Sequence, residues 1–156
     1  MLTSIQSKVI ISVLVCVVLG GVSGAVTVTG IGSWYTTILK PSWNPPNGLF
    51  GPVWTTLYVL MGISFALVWH SVHAYKARAL TLFVLQFVLN LLWSPLFFYF
   101  HQIGWALAEM VVLWLLILVS ILLFKSINPI AAWLLVPYLA WVSFATVLTA
   151  TIYQLN

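Results

Sequence analysis

A chain of 156 residues in which 63% of the side chains are hydrophobic and 4% are charged is far more apolar than a soluble domain, which has roughly 25% charged residues. This composition excludes a water-soluble fold, and the length leaves no room for a separate soluble catalytic domain. The net charge of +4 comes from scattered basic residues, which excludes a nucleic-acid-binding surface.

Apolar runs of the length that crosses a bilayer, about 20 residues of helix, recur along the whole chain. We expect transmembrane helices over 9–29, 50–70, 79–100, 104–124 and 130–152. The predicted fold class is therefore an all-α membrane protein. It is expected to form a single five-helix transmembrane domain over residues 1–156, with a long structured loop between helices 1 and 2.

The first apolar run permits a second interpretation. Lys8 precedes an apolar core over Val9–Leu19, and small residues follow at 23–25, as in a secretory signal peptide. The apolar stretch continues through Val28, which favours a full transmembrane span over a short cleaved segment.

Five spans place the two termini on opposite sides of the membrane. Lys40 then lies on one side, and the other side carries Lys8, Lys76, Arg78 and Lys125. Because basic residues concentrate in cytoplasmic loops, the N-terminus is predicted to be cytoplasmic.

In the first span, Gly20 and Gly24 form a G-xxx-G pair. Such a pair lets another helix approach closely, either within the bundle or in a second subunit. The sequence leaves these two possibilities open.

The connection between the first two spans is unusually long and rigid. Aromatic, basic and proline residues concentrate between Trp34 and Asn47, with prolines at Pro41, Pro45 and Pro46. We expect a stiff cover over one end of the bundle rather than a flexible linker.

Stripes of distinctive side chains at helical spacing mark three of the spans. The second span carries Trp54, Tyr58, Met61 and Phe65. The third carries Gln86, Asn90, Trp93 and Phe97. The fifth carries Tyr138, Trp141, Ala145 and Leu148. Large rings beside a small residue favour a hollow in which the three stripes face one another.

Polar and proline residues inside the spans support the same interpretation. Gln86 and Asn90 must find partners away from lipid, either as interhelical contacts or as the lining of a cavity. Pro95 and Pro137 are expected to interrupt the third and fifth helices. The tryptophans near span ends fit an interfacial belt instead; they are Trp34, Trp43, Trp69 and Trp105.

The few reactive side chains give weak signals. Glu109 is the only acid, but it lies in the opening turns of the fourth span, where a structural role is favoured. His101 falls on the opposite side from His70 and His73, so no metal site is expected. Cys16 is typical of a small buried hydrophobe.

Several motifs recur in order along the chain. They begin with Trp34 to Lys40 and Pro41-Ser42-Trp43-Asn44-Pro45-Pro46, followed by Phe50-Gly51-Pro52-Val53-Trp54, Leu57-Tyr58 and Met61-Gly62. They continue with Asn90-Leu91-Leu92-Trp93-Ser94-Pro95 and Pro137-Tyr138-Leu139-Ala140-Trp141. Over residues 34–146 the chain resembles the tryptophan-rich sensory protein family, also called translocator proteins.

The resemblance implies a five-helix, usually homodimeric protein of the bacterial cell membrane. It implies a cavity beneath the first loop that binds porphyrins and hydrophobic drug-like ligands, with no bound cofactor. Carried over by motif, the ligand-binding residues are Tyr35, Pro45, Trp54, Tyr58, Asn90, Trp93, Trp141 and Ala145. One departure is Thr149, which stands where the family has asparagine.

Three classes of function remain open. The first is a tetrapyrrole-binding receptor, sensor or carrier. The second is an enzyme for light- and oxygen-dependent degradation of protoporphyrin, with Trp54 and Trp141 as the redox-active residues. The third is a purely structural or partner-binding membrane protein in which the tryptophans only pack helices.

Overall fold

A computed structural model describes residues 4–156 as a bundle of five long helices. All five are long and apolar enough to cross a membrane. We number the helices α1 to α5 in chain order: α1 (Ile5–Ile31), α2 (Asn47–His70), α3 (Lys76–Ser94), α4 (Ile103–Ile127) and α5 (Pro129–Leu155). The predicted five-helix membrane fold is thus confirmed. Helices α1, α2, α4 and α5 extend a few residues beyond their apolar runs, whereas α3 ends at Ser94, within its run of 79–100.

Helices form because lipid offers no hydrogen-bond partner to an exposed backbone. Local signals set their ends. Ser4 caps α1 by accepting from the Ser7 N–H at 3.3 Å. Asn128 caps α5 by accepting from the Ile130 N–H at 3.0 Å, and Pro129 occupies the first turn, where no N–H is needed.

Pro95 and Pro137 were both predicted to interrupt their helices, but their effects differ. At Pro95, α3 passes into a π-helical turn, Pro95–Tyr99, that continues the span. At Pro137 the prediction of an interruption is wrong, because α5 runs through it as one helix. A single missing N–H does not end a helix that is packed against its neighbours along its length.

The connections make sequence neighbours antiparallel. A single residue, Asn128, separates α4 from α5, whereas residues 32–46 join α1 to α2. That loop contains a short 3₁₀ turn, Trp34–Thr36, so the predicted structured loop is confirmed. We call the half of the bundle next to this loop the loop half, and the other the distal half.

The distal half is solidly packed. Phe83 stacks on Phe124 at a centroid distance of 6.0 Å, and the Ser64 hydroxyl donates to the Ala131 carbonyl at 2.7 Å. Leu135 is fully buried in the same cluster. This half therefore anchors the bundle, and the loop half is where space remains.

Candidate functional site

The loop half contains a cavity of about 440 Å³, within the roughly 300–1,000 Å³ of ligand pockets. Helices α1, α2, α3 and α5 surround it, and α4 contributes Met110 and Leu113. Most of the wall is apolar or aromatic. A cavity of this kind suits a hydrophobic ligand rather than an ion or a sugar.

Three tryptophans from three helices lie on the cavity wall. Trp54 on α2 stacks on Tyr58, with centroids 5.6 Å apart and planes 28° apart. Trp93 on α3 stacks on Phe97 at 5.0 Å and 15°. Trp141 on α5 contacts Phe50 edge-to-face at 6.2 Å. The three stripes predicted from the sequence therefore meet, and ring faces and edges dominate the surface that a ligand would touch.

Two amides join the helices that carry these rings. The Tyr58 hydroxyl donates to Asn90 Oδ1 at 3.0 Å, which links α2 to α3. The Tyr138 hydroxyl donates to Gln86 Oε1 at 2.9 Å, which links α5 to α3. Asn90 also lines the cavity and Gln86 does not. Of the two roles left open by the sequence, Asn90 has both and Gln86 has only the interhelical one.

Two of the cavity tryptophans have unsatisfied donors. The indole N–H groups of Trp93 and Trp141 are buried and have no hydrogen-bond partner among residues 4–156. By contrast, Trp114 on α4 donates to the Ser143 hydroxyl at 2.7 Å. A buried donor left unpaired costs about 1–3 kcal/mol, and because both indole nitrogens are covered they present no donor to the cavity.

The loop is held together over the cavity by Tyr35, which is 3% exposed and lines the cavity. Its hydroxyl donates to Asn44 Oδ1 at 2.7 Å, and Lys40 Nζ donates to the Tyr35 carbonyl at 2.6 Å. Burial raises the pKa of Tyr35 to about 12, partly offset by the bond to Asn44. The hydroxyl therefore stays protonated, and remains a donor, at neutral pH.

Of the eight residues assigned to the ligand site, seven line the cavity. These are Tyr35, Trp54, Tyr58, Asn90, Trp93, Trp141 and Ala145. Pro45 does not line it; it is buried within the loop. Its fixed backbone shapes the cover, one residue away from the Asn44 side chain that holds Tyr35.

Sequence reasoning missed the α1 wall of the cavity. Gly20, Gly21 and Gly24 all line it. Gly20 allows the Tyr58 ring to lie against α1, whereas a Cβ at Gly24 would meet no atom within 4 Å. The G-xxx-G pair is therefore not one contact motif: Gly20 makes a close approach within the bundle, and Gly24 borders empty space.

The remaining reactive groups lie off the cavity wall or form no cluster. Neither carboxylate oxygen of Glu109 has a hydrogen-bond partner among residues 4–156, and Glu109 does not line the cavity. His101 stacks on Trp34 at 4.4 Å in the loop half. Within the described part of the chain, no three metal-ligating side chains lie close enough together to hold a metal ion.

Comparison with known proteins gives matches over nearly the whole chain. The TspO/MBR family pattern matches residues 12–155. The chain is 41% identical to Tryptophan-rich protein TspO of Chlorobaculum tepidum, with 97% of this chain and 99% of the relative covered. It is 39% identical to Translocator protein of Homo sapiens, with 79% and 75% covered. It is 36% identical to Tryptophan-rich sensory protein of Cereibacter sphaeroides, with 79% and 77% covered.

Proposed function

Because this chain belongs to the TspO/MBR family, we propose that it is a membrane receptor, sensor or carrier that binds porphyrins and hydrophobic drug-like molecules in the loop-half cavity. The observation that carries the proposal is the convergence of Trp54, Trp93 and Trp141 on one space of about 440 Å³. Flat aromatic ligands gain about 0.5–1.5 kcal/mol per ring contact beyond the burial of area, so such a wall selects planar molecules.

Polar groups in the wall would set the orientation of the ligand. The indole N–H groups of Trp93 and Trp141 are themselves covered, so the rings of these residues, and not their N–H groups, would contact a tetrapyrrole. Asn90 is fixed by its bond from Tyr58 and presents its amide to the cavity. A few donors within an apolar wall are the usual arrangement of small-molecule sites.

The test compares two tryptophans of the same helix. Trp141 lines the cavity, whereas Trp133 is 72% exposed and does not line it. Protoporphyrin IX is titrated into purified protein in lipid nanodiscs, and its absorbance band is followed. We expect Trp141→Leu to raise Kd about tenfold, since the lost ring contact and the smaller apolar area together remove about 1.4 kcal/mol.

Trp133→Leu is expected to leave Kd unchanged. Equal effects of the two substitutions, or a signal that matches empty nanodiscs, would show that the porphyrin only partitions into lipid. In that case the third class of function, a structural role for the tryptophans, becomes the better explanation.

A second candidate is the light- and oxygen-dependent degradation of protoporphyrin. It is favoured by the placement of Trp54 and Trp141, the two readily oxidised rings assigned to this role, on one cavity wall. In this scheme an indole gives one electron to the light-excited porphyrin, which passes it to O₂ as superoxide. The indole radical cation then takes an electron from the porphyrin and is restored, and the porphyrin radical cation and superoxide combine into an oxygenated product. No group of acidic, basic and nucleophilic side chains in the cavity supports hydrolysis instead.

Illumination of the complex in air separates the two candidates. Trp54→Phe and Trp141→Phe keep an aromatic ring but remove the easily oxidised indole. Loss of a defined product with retained binding supports the enzyme. Product formation that persists in both variants eliminates it and leaves the receptor.

The orientation and the assembly are part of the same proposal. We infer a cytoplasmic N-terminus, supported by the four basic residues of the distal end, and a homodimer, supported by the family resemblance. Labelling of Ala74→Cys and Ser42→Cys with a membrane-impermeant thiol reagent in intact cells tests the orientation, and the proposal requires reaction only at Ser42→Cys.

Single-molecule photobleaching in nanodiscs tests the homodimer, with two steps expected.

A further inference from the structure

Four cavity-lining residues, Gly21 and Val28 on α1 and Gly51 and Thr55 on α2, are also exposed on the outside of the bundle. We propose that the cavity opens to lipid there and that its ligand enters and leaves sideways from the bilayer, between α1 and α2. We call this opening the lateral cleft. Its walls are Gly21, Gly24 and Val28 on α1 and Gly51 and Thr55 on α2. The inference rests on the proposed function, because it concerns how the same class of ligand reaches the same cavity.

The lateral cleft begins where close contact between α1 and α2 ends. At Gly62 a Cβ would lie 2.5 Å from the Val13 Cα, so the two backbones touch there. On α2, Tyr58 lies one turn closer to the loop than Gly62, and its ring lies against Gly20 of α1. These contacts form the floor of the cleft, and no ligand can pass through them.

Beyond Gly20, α1 packs against α3 instead of α2. The Ser23 hydroxyl donates to the Leu91 carbonyl at 2.8 Å, and the Thr27 and Ser94 hydroxyls are hydrogen-bonded at 2.9 Å. Near the end of α1, a Cβ at Gly30 would lie 2.6 Å from the Phe98 Cβ. These contacts hold α1 against α3 and the π-helical turn after it, which leaves the face of α1 that carries Gly24 without a neighbouring side chain.

Glycines leave open space on both walls of the lateral cleft. A Cβ at Gly21, Gly24 or Gly51 would meet no atom within 4 Å. Val28 is 73% exposed although it lines the cavity, which places it at an open rim. From Gly21 to Val28 the cleft runs for about 10 Å along α1, at 1.5 Å per residue.

Access from water beneath the loop is closed by contacts between the loop and the C-terminal end of α5. The Asn156 side chain accepts from the Leu39 N–H at 2.9 Å and donates to the Leu39 carbonyl at 3.0 Å. Trp43 in the loop contacts Phe144 on α5 at 5.9 Å. Opening the loop must break these contacts, whereas the lateral cleft needs no rearrangement.

A bulky side chain in the cleft should slow both the entry and the exit of the ligand. Because the cleft walls lie at the entrance, an obstruction raises the barrier for entry and exit equally. Gly24→Phe on α1 and Gly51→Phe on α2 are the test variants, and Val28→Trp at the rim is a third. Gly48→Phe is the matched control, since Gly48 also borders open space on α2 but does not line the cavity.

The experiment follows protoporphyrin IX by stopped flow as it moves from preloaded vesicles to protein in nanodiscs. We expect each cleft variant to slow association and dissociation by about tenfold, which corresponds to about 1.4 kcal/mol of added barrier. Because the substituted residues also line the cavity, Kd is measured beside the rates: an obstructed entrance slows both association and dissociation, whereas a weakened binding surface alone speeds dissociation. Gly48→Phe should match the wild type. Asn156→Ala, which loosens the loop, should change neither rate.

The outcomes separate the route from the function. If the wild type binds porphyrin but the folded cleft variants keep its rates, ligand does not pass between α1 and α2 and the inference is overturned. Faster exchange in Asn156→Ala would overturn it in favour of the aqueous route. If the wild type shows no saturable binding, the proposed function fails and the inference falls with it.

Discussion

The two halves of the bundle are built from the same five helices but pack differently. In the distal half, Phe83, Phe124 and Leu135 fill the space between helices almost completely. In the loop half, equally large rings such as Trp54 and Trp93 surround a cavity instead. The comparison teaches that large buried rings do not by themselves close a bundle: in the distal half they pack on one another, and in the loop half they line a cavity.

The same contrast applies within α1 and α2. Gly62 brings the backbones of the two helices into contact, whereas Gly24 borders open space. Glycine thus allows close helix contact in the distal half and leaves open space in the loop half. If this division is correct, matched substitutions in the two halves should have unequal effects.

The largest effect on stability is expected for a ring removed from the distal half. Phe124→Ala should lower the free energy of unfolding by about 3–5 kcal/mol, because Phe124 is fully buried and its neighbours cannot close the gap. Phe50→Ala, at the cavity wall, should cost only about 1 kcal/mol. Unfolding in mixed detergent micelles measures both, and equal losses would break the comparison.

The next effect concerns the contact of α1 with α2. Gly62→Val should cost about 2–3 kcal/mol, because its Cβ meets backbone atoms of Val13 that cannot rotate away. Gly24→Val, also in mid-helix, should be near neutral. Thermal unfolding in one lipid composition is the measurement. A destabilised Gly24→Val would contradict the open space beside Gly24.

A smaller effect is expected for the two tyrosine–amide bonds. Tyr138→Phe should cost about 1–2 kcal/mol, because Gln86 is 1% exposed and would lose the bond to its side-chain carbonyl. Tyr58→Phe should cost about half as much, since Asn90 borders the cavity and can be solvated there. A double substitution measures whether the two bonds are independent.

The smallest effect is a pH dependence in the loop. The pKa of Tyr35 is raised to about 12 from its usual 10.0, so the folded loop keeps a proton that the unfolded chain loses. Its contribution to stability is complete below pH 10 and is lost as the pH rises to about 12. Tyr35→Phe should remove this fall, seen by comparing thermal stability of the two proteins at pH 9 and pH 11.5; parallel curves would contradict it.

Much of the fold follows from local pattern. Apolar runs gave five helices, and the prolines between Pro41 and Pro46 indicated an ordered loop. Motif residues such as Trp54, Asn90 and Trp141 lie on one cavity wall. Pro137 was misjudged because packing, which a local rule does not contain, keeps α5 continuous around it.

The sequence by itself determined that this chain lies in a membrane as helices, since apolar length and the need to pair every backbone group leave no other fold. It also determined which helix faces carry aromatic rings, because helical periodicity is a local property. Only the tertiary structure decided that α1 is bonded to α3 at Ser23 and borders empty space at Gly24. The reason is physical: a glycine permits close approach and empty space equally well, and only the neighbouring helices select between them.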